Sequence, residues 1–281
     1  MNSSKMSSNF GKSISLILPT YNEGKNLELL IPAFMSAFGD FPGIEHFELI
    51  VVDDGSTDGT SEVAKKYLQK FQNLKFIFRK ATPSLPLSIQ DGIYEAGNDL
   101  VIWIDADGSM PVAEVKKLWV EFNPLNDDAV IGSRFVPGGG FKGITPEKKT
   151  SFFEFLNNIK RSEDSILAVI LSRLLNYFLR FLLNVGIRDL TSGFIVVKRS
   201  VLKNFRLSGN YGDYFPKLMW EFHKSNFRVR EIGYYCVPRI HGESKTGTSL
   251  PKLLRNGIPY LQVATKCRIG STLKFFQKVQ R

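Results

Sequence analysis

Two aspartates separated by a single alanine, Asp105-Ala106-Asp107, close the apolar run Leu100-Val101-Ile102-Trp103-Ile104. Carboxylates held this close repel each other unless a cation lies beside them. Oxygen ligands of this hardness suit Mg²⁺ or Mn²⁺, a metal usually shared with substrate phosphates. A solvated turn after a strand is the competing reading, because aspartate is common in turns. Two more acidic segments follow apolar runs in the same way. Glu23 comes after Ile14-Ser15-Leu16-Ile17-Leu18, and Asp53-Asp54 comes after Leu49-Ile50-Val51-Val52.

Those apolar runs are the elements that must position the acids. Continuous β-branched, aromatic and leucine residues read as strands buried on both faces. Helical spacing separates them: Leu27, Leu30, Ile31, Phe34 and Phe38, then Val63, Ala64, Tyr67, Leu68 and Phe71, then Val112, Val115, Leu118, Trp119 and Phe122. Pro32 is expected to kink or restart the first helix, and Thr57 or Asp58 to cap the second. Leu74 to Phe78 and Ala129-Val130-Ile131-Gly132 read as further strands. The alternation predicts an α/β fold, a mostly parallel sheet with helices on both faces. Ligands bind such open sheets beyond the carboxyl ends of the strands. The three acid-bearing loops therefore converge on one site.

Composition narrows the partners. A chain of 281 residues has room for one large α/β domain with an appendage, and its net charge of +10 favours an anionic partner. Nucleotide phosphates, nucleic acid and an anionic membrane surface all have that sign. Cys236 and Cys267 form no C-x-x-C pair, and His46, His223 and His241 lack zinc-ligand spacing. No G-x-G-x-x-G or Walker A loop is present, which disfavours a dinucleotide fold or a P-loop kinase. Residues 1–12 are rich in Ser and Asn and read as a flexible N-terminus rather than a signal peptide. A cytoplasmic setting follows from these absences.

Six ordered motifs carry a resemblance. Pro19-Thr20-Tyr21-Asn22-Glu23, Val52-Asp53-Asp54-Gly55-Ser56-Thr57-Asp58 and Asp105-Ala106-Asp107 resemble the inverting family 2 glycosyltransferases of the GT-A fold. Gly132-Ser133-Arg134, Arg188-Asp189-Leu190-Thr191-Ser192-Gly193-Phe194 and Arg239-Ile240-His241-Gly242-Glu243-Ser244-Lys245 resemble the polyprenyl-phosphate branch, typified by dolichol-phosphate mannosyltransferase. The resemblance implies that Pro19, Tyr21, Glu23, Val52, Asp53, Asp54, Asp105 and Ala106 bind a nucleoside diphosphate sugar. It implies Mg²⁺ or Mn²⁺ on Asp105 and Asp107, with Ser109 where that branch usually carries glutamine. The segment Ala81-Thr82-Pro83-Ser84-Leu85-Pro86 also departs from the usual glycine-rich loop.

The implied acceptor is a polyprenyl phosphate, such as dolichyl or undecaprenyl phosphate. The implied donor is GDP-mannose or UDP-glucose. A phosphate monoester with a second pKa of about 6 is already mostly a dianion at neutral pH, so it needs positive charge rather than a strong base. Arg134, Arg239 and Lys245 meet that need, with Ser133, Ser172 and Ser244 completing the acceptor-phosphate set. Asp107 and Asp189 join those three cations as catalytic candidates. Asp189 positions the acceptor or the metal, or caps a turn. If the acceptor is instead a glycan hydroxyl, Asp189 is the candidate base. A non-catalytic nucleotide-sugar binder serving a membrane protein is the reading from a different class. The 239–245 segment reads as a mobile loop over the acceptor phosphate, with Gly242 and Gly247 for freedom.

Two stretches bear on the membrane. Along the Ile166 to Leu183 stretch, Ser172, Asn176, Arg180 and Asn184 recur every four residues as a narrow polar stripe, with Arg173 beside it, on an otherwise apolar helix. Arginines within it argue against a membrane span, leaving a helix in the interface or one buried on the protein. Residues 251–281 bring Lys252, Arg255, Lys266, Arg268, Lys274, Lys278 and Arg281 with no acid, interleaved with apolar side chains. They read as a basic amphipathic tail after a 13–250 transferase domain, within which 136–187 is an inserted loop with interface helices. An enzyme peripheral on the inner face of a membrane is expected. Nucleic acid is not an expected partner, and a membrane-protein partner is a second candidate.

Overall fold

The computed structural model describes residues 13–140, 166–242 and 250–279. Its centre is a seven-stranded sheet of β1 (Ser13–Thr20), β2 (His46–Asp53), β3 (Leu74–Phe78), β4 (Leu100–Trp103), β5 (Ala129–Ser133), β6 (Ile195–Lys198) and β7 (Val229–Gly233). The strands lie in the order β3-β2-β1-β4-β6-β5-β7. Every pairing is parallel except those of β6, which runs antiparallel to β4 and β5. The predicted α/β architecture is the one observed.

Side chains alternate across β1 and divide the core between two faces. Ile14, Leu16 and Leu18 pack with Leu27, Phe34, Val115 and Leu118, which belong to α1 (Gly24–Ala37) and α4 (Val112–Glu121). Ile17 points to the other face and joins Ile89, Ile93, Phe215 and Leu218, from α3 (Leu85–Glu95) and α7 (Tyr214–Lys224). The remaining helices are α2 (Thr60–Leu68), α5 (Ile166–Leu183), the single turn α6 (Arg199–Leu202) and α8 (Leu250–Val279). Parallel register sets Thr20 beside Asp53, and the Ile104 N–H donates to the Ile17 carbonyl. The loops after β1, β2 and β4 therefore leave the sheet at one edge.

Two local expectations are corrected. Pro32 does not restart α1, which runs through it as one helix. Proline removes one N–H from the helical ladder and frees the carbonyl four residues earlier. Here that carbonyl, Glu28, accepts the Tyr67 hydroxyl at 3.1 Å, so the orphaned group has a partner. The cap of α2 is Gly59 in the left-handed region (φ 90°), not Thr57 or Asp58. Asp58 instead bridges two helix starts, accepting the N–H of Gly24 at 3.0 Å and of Thr60 at 3.1 Å. Burial opposes its charge, but these bonds and the Thr60 hydroxyl outweigh it and hold the carboxyl below its usual range.

Helix α5 is turned inside out relative to an ordinary surface helix. Asn176 from its polar stripe is buried together with Leu179 and Leu183, while Ile170, Leu174, Tyr177, Phe178 and Phe181 are exposed. Helix α8 packs against α5 and adds exposed Leu254, Ile258 and Ile269.

Candidate active site

A cavity of 430 Å³ opens at the carboxyl edge of β1, β2 and β4, lined by Pro19, Tyr21, Glu23, Asp54, Asp105, Ala106 and Asp107 among others. Six of the eight residues expected at a nucleotide sugar are thus brought together. Val52 and Asp53 are the corrections. Val52 is fully buried in β2, where its carbonyl accepts the Thr20 hydroxyl at 3.0 Å. Asp53 is also fully buried, and its oxygens accept the Ser56 N–H at 3.0 Å and the Ser61 hydroxyl. It therefore shapes the turn that presents Asp54.

Asp54 accepts hydrogen bonds from the Arg79 guanidinium and the Ser84 N–H. Arg79, buried, is held from its other side by Asp91 at 2.7 Å. Arg79 was not among the sequence candidates, since a lone arginine after a strand carries no motif. Ser84 sits in the segment that departs from the usual glycine-rich loop, and Pro83, Ser84 and Leu85 all line the cavity.

At the end of β4, Asp105 is exposed to the cavity and Asp107 is buried. Asp107 accepts the Ser109 N–H at 2.8 Å on one oxygen and lies 3.0 Å from the Arg239 guanidinium on the other. A backbone ladder delivers Arg239: the Ile240 N–H donates to the Asp107 carbonyl at 2.9 Å and the Val237 N–H to the Ser109 carbonyl at 3.1 Å. Gly108 makes the approach feasible. Its φ is +80°, and a Cβ there would lie 2.5 Å from the Ile240 side chain. His241 is pinned in turn, exchanging backbone hydrogen bonds with the Asn26 amide at 3.0 and 3.2 Å. The start of the 239–245 segment is thus anchored rather than a mobile loop, whereas Ser244 and Lys245 lie outside the described residues.

The same donors test a divalent ion. Among the described residues no three His, Cys, Asp or Glu side chains cluster as a complete cage. Asp105 and Asp107 both bring carboxylate oxygens to the lining of the first cavity. This fits Mg²⁺ or Mn²⁺ brought in on phosphate oxygens, since such ions often take only one or two carboxylates from the protein. The Ser109 N–H orients Asp107, and Ser109 itself lines a second cavity.

That second cavity, of 480 Å³, shares Asp105, Asp107, Tyr211, Arg239, Asn256 and Tyr260 with the first. Its walls are apolar, with Val169, Leu171, Leu174, Leu175 and Phe178 from α5 and Leu254 and Leu261 from α8. Arg134, Ser172, Thr191 and Ser192 supply polar groups to its lining. The Arg134 guanidinium is gripped by Asp189, Nε at 2.8 Å and Nη2 at 2.7 Å, and Nη2 also donates to Thr191 Oγ1 at 2.9 Å. Burial works against the charge, but the Asp189 carboxylate outweighs it and raises the Arg134 pKa well above its ordinary value.

Asp189 and Ser133 require correction. The Asp189 side chain is fully buried beneath Arg134 and lines neither cavity. It also accepts the Arg134 N–H at 2.9 Å and the Thr191 N–H at 3.3 Å, so it braces Arg134 and the following turn, as the turn-capping reading expected, rather than facing either cavity. Ser133 is likewise fully buried and absent from both cavity walls, its hydroxyl accepting the Phe135 N–H at 3.3 Å. Tyr211, Asn256 and Tyr260 were missed. Burial and then the Asp105 carboxylate push the Tyr211 phenol up, and burial does the same to Tyr260. Both remain neutral hydrogen-bond donors at the junction of the two cavities.

A family model for glycosyl transferase family 2 matches residues 15–206. This chain belongs to glycosyltransferase family 2. Among curated relatives, the family 2 chain is 30% identical over 241 residues to polyprenol monophosphomannose synthase of Mycolicibacterium smegmatis, covering 83% of this chain and 81% of that protein. It is also 30% identical to dolichol-phosphate mannosyltransferase of Pyrococcus furiosus, over 86% of this chain and 62% of the archaeal protein. Among solved structures, glucosyl-3-phosphoglycerate synthase of Mycobacterium tuberculosis, in complex with Mn²⁺, UDP-glucose and phosphoglyceric acid, superposes with a TM-score of 0.59. It is 17% identical, with 92% of this chain and 80% of that chain covered, and shares the fold. The glycosyltransferase thus has its acid-rich cavity on a shared scaffold, with an apolar cavity beside it.

Proposed function

We propose that this family 2 enzyme transfers a hexose, with inversion, from a nucleoside diphosphate sugar to the phosphate of a polyprenol. The observation that carries this reading is the junction of two unlike cavities at Asp105, Asp107 and Arg239. The first offers Tyr21, Glu23 and Asp54 to a nucleoside. The second offers hydrocarbon walls leading to the Arg134 guanidinium, which suits a lipid ending in phosphate. Both curated relatives are named for mannose transfer to polyprenol or dolichol phosphate, which favours GDP-mannose over UDP-glucose as donor.

Asp105 and Asp107 would hold Mg²⁺ or Mn²⁺, whose positive charge neutralises a departing diphosphate. Arg239 adds a second cation at Asp107, where leaving-group charge develops. Arg134, fixed by its bidentate grip on Asp189, holds the acceptor phosphate in line. The acceptor is already an anion, so neither cavity has to supply a general base. Tyr211 and Tyr260 help exclude water from the junction.

The apolar exposed faces of α5 and α8 support a position on an anionic membrane surface, with Arg173, Arg255, Lys266 and Arg268 nearby in sequence. No helix among the described residues is long and apolar enough to cross a membrane. Attachment at the inner face of a membrane is the corresponding location. The test is transfer by the purified enzyme with GDP-mannose or UDP-glucose, offering polyprenyl phosphate, free polyprenol and oligosaccharides as acceptors. Product on the lipid phosphate alone, abolished by EDTA, is the expected result. Transfer to oligosaccharides alone would overturn it.

A further inference from the structure

Asn176 is an amide buried on α5, whose Leu174, Tyr177, Phe178 and Phe181 are exposed. Its Oδ1 accepts the Leu190 N–H at 2.7 Å, which fixes the orientation of the amide. Its Nδ2 then has two hydrogens to give, and they go to the Ser172 carbonyl and to Thr191 Oγ1, each at 2.9 Å. Thr191 Oγ1 also accepts from Arg134 Nη2 at 2.9 Å and lies 3.3 Å from Asp189 Oδ1, to which its own hydrogen can point. Both lone pairs and the hydrogen of this hydroxyl are thereby used.

We propose that Asn176 is a positioning residue that couples engagement of the acceptor's hydrocarbon by α5 to the alignment of Arg134. The inference rests on the reading of Arg134 as the acceptor-phosphate ligand. Leu174, Leu175 and Phe178 bracket Asn176 on α5 and face the acceptor cavity. A prenyl chain seated against them sets the position of the helix. Hydrogen bonds of this kind weaken steeply when stretched or bent, so a displaced α5 cannot keep the Thr191 bond. Thr191 then shifts or loses a donor, and the guanidinium it shares with Asp189 is aimed differently. A long-chain acceptor thus organises its own phosphate site, whereas a short one that does not reach α5 gains nothing from the relay.

The experiment compares kcat/KM for a long-chain polyprenyl phosphate with that for geranyl phosphate, and measures nucleotide-sugar affinity by calorimetry on the same preparations. Asn176→Ala should lower the long-to-short ratio by about tenfold, the scale of one buried hydrogen bond whose partner is left unmet. Donor affinity should not change, because Asn176 lines neither cavity. Thr191→Val, which keeps the shape without the hydroxyl, should reduce the ratio equally, and Thr191→Ser should restore it. The double variant Asn176→Ala/Thr191→Val should be no worse than either single one. If Asn176→Ala does not fold, the Thr191→Val and Thr191→Ser pair carries the test alone. Equal losses on both acceptors, a changed donor affinity or additive losses would overturn the coupling. If the unaltered enzyme uses neither phosphate, the proposed function itself fails, a result separate from all of these.

Discussion

Asp107 divides its two oxygens between a backbone N–H and a guanidinium, and Asp105 beside it faces the cavity. Asp105→Asn and Asp107→Asn should each reduce transfer by at least about 10²-fold, the scale of losing one preorganised charge at a reacting centre. Asp107→Asn should in addition weaken the hold on Arg239. Steady-state rates with titrated Mn²⁺ check this, and near-normal rates in EDTA would contradict it. Asp189 predicts a different outcome. It touches no cavity, yet this fully buried carboxylate pairs with the partly buried Arg134, and breaking such a pair costs up to about 3 kcal/mol. Asp189→Asn should therefore lower unfolding stability as well as acceptor turnover. A variant with full stability and lost activity would restore Asp189 to direct chemistry.

At the scale of elements, the short ladder between 107–109 and 237–240 decides where Arg239 lies. Gly108→Ala would place a methyl group against Ile240 at a left-handed φ, a backbone strain of about 1–2 kcal/mol. The fold should survive, whereas turnover should fall with little change in nucleotide affinity, measurable by calorimetry beside kinetics. A second element-scale device ties β5, β6 and β7 at the far end of the sheet. Asp128 takes hydrogen bonds from the Arg228 N–H at 2.9 Å and from the Lys198 ammonium at 3.0 Å. Burial would raise this carboxyl, but Arg228 and Lys198 outweigh it and hold it below the usual carboxylate range. A depressed folded-state pKa stabilises above the unfolded value of about 4, and that stability is lost as pH falls below it. Asp128→Asn should cost about 1–2 kcal/mol at neutral pH and progressively less toward pH of about 3. Urea unfolding at both pH values reads the difference, and a constant gap would refute the ion-pair account.

For the whole molecule, the exposed apolar side of the α5–α8 pair is the feature that bears on the membrane. Tyr177 is 65% and Phe181 76% exposed, and neither lines a cavity. If this face lies on lipid, Phe181→Ser should weaken binding to anionic vesicles about tenfold, through lost burial of one aromatic ring. Added salt should weaken binding further by screening the basic residues. Co-sedimentation at two salt concentrations measures both effects. An unaltered protein that ignores such vesicles would remove the membrane from the account.

The chain by itself determined the first five strands, their alternation with helices and the meeting of Glu23, Asp54, Asp105 and Asp107 at one sheet edge, but not β6 and β7. Those features depend on local periodicity and on parallel register, which brings equivalent strand ends to one side. Tertiary structure decided the rest, because each remaining assignment depends on a partner distant in sequence. Asp189 becomes a support for Arg134 through a pairing across 55 residues, and Arg79 enters through Asp54, 25 residues away. The 251–281 stretch looked like a tail, yet Asn256 and Tyr260 wall both cavities, since α8 folds back onto α5. A stripe on a helix likewise does not say which way it faces. Asn176 is buried because Leu190, Ser172 and Thr191 satisfy its amide, and that leaves the apolar side of α5 exposed.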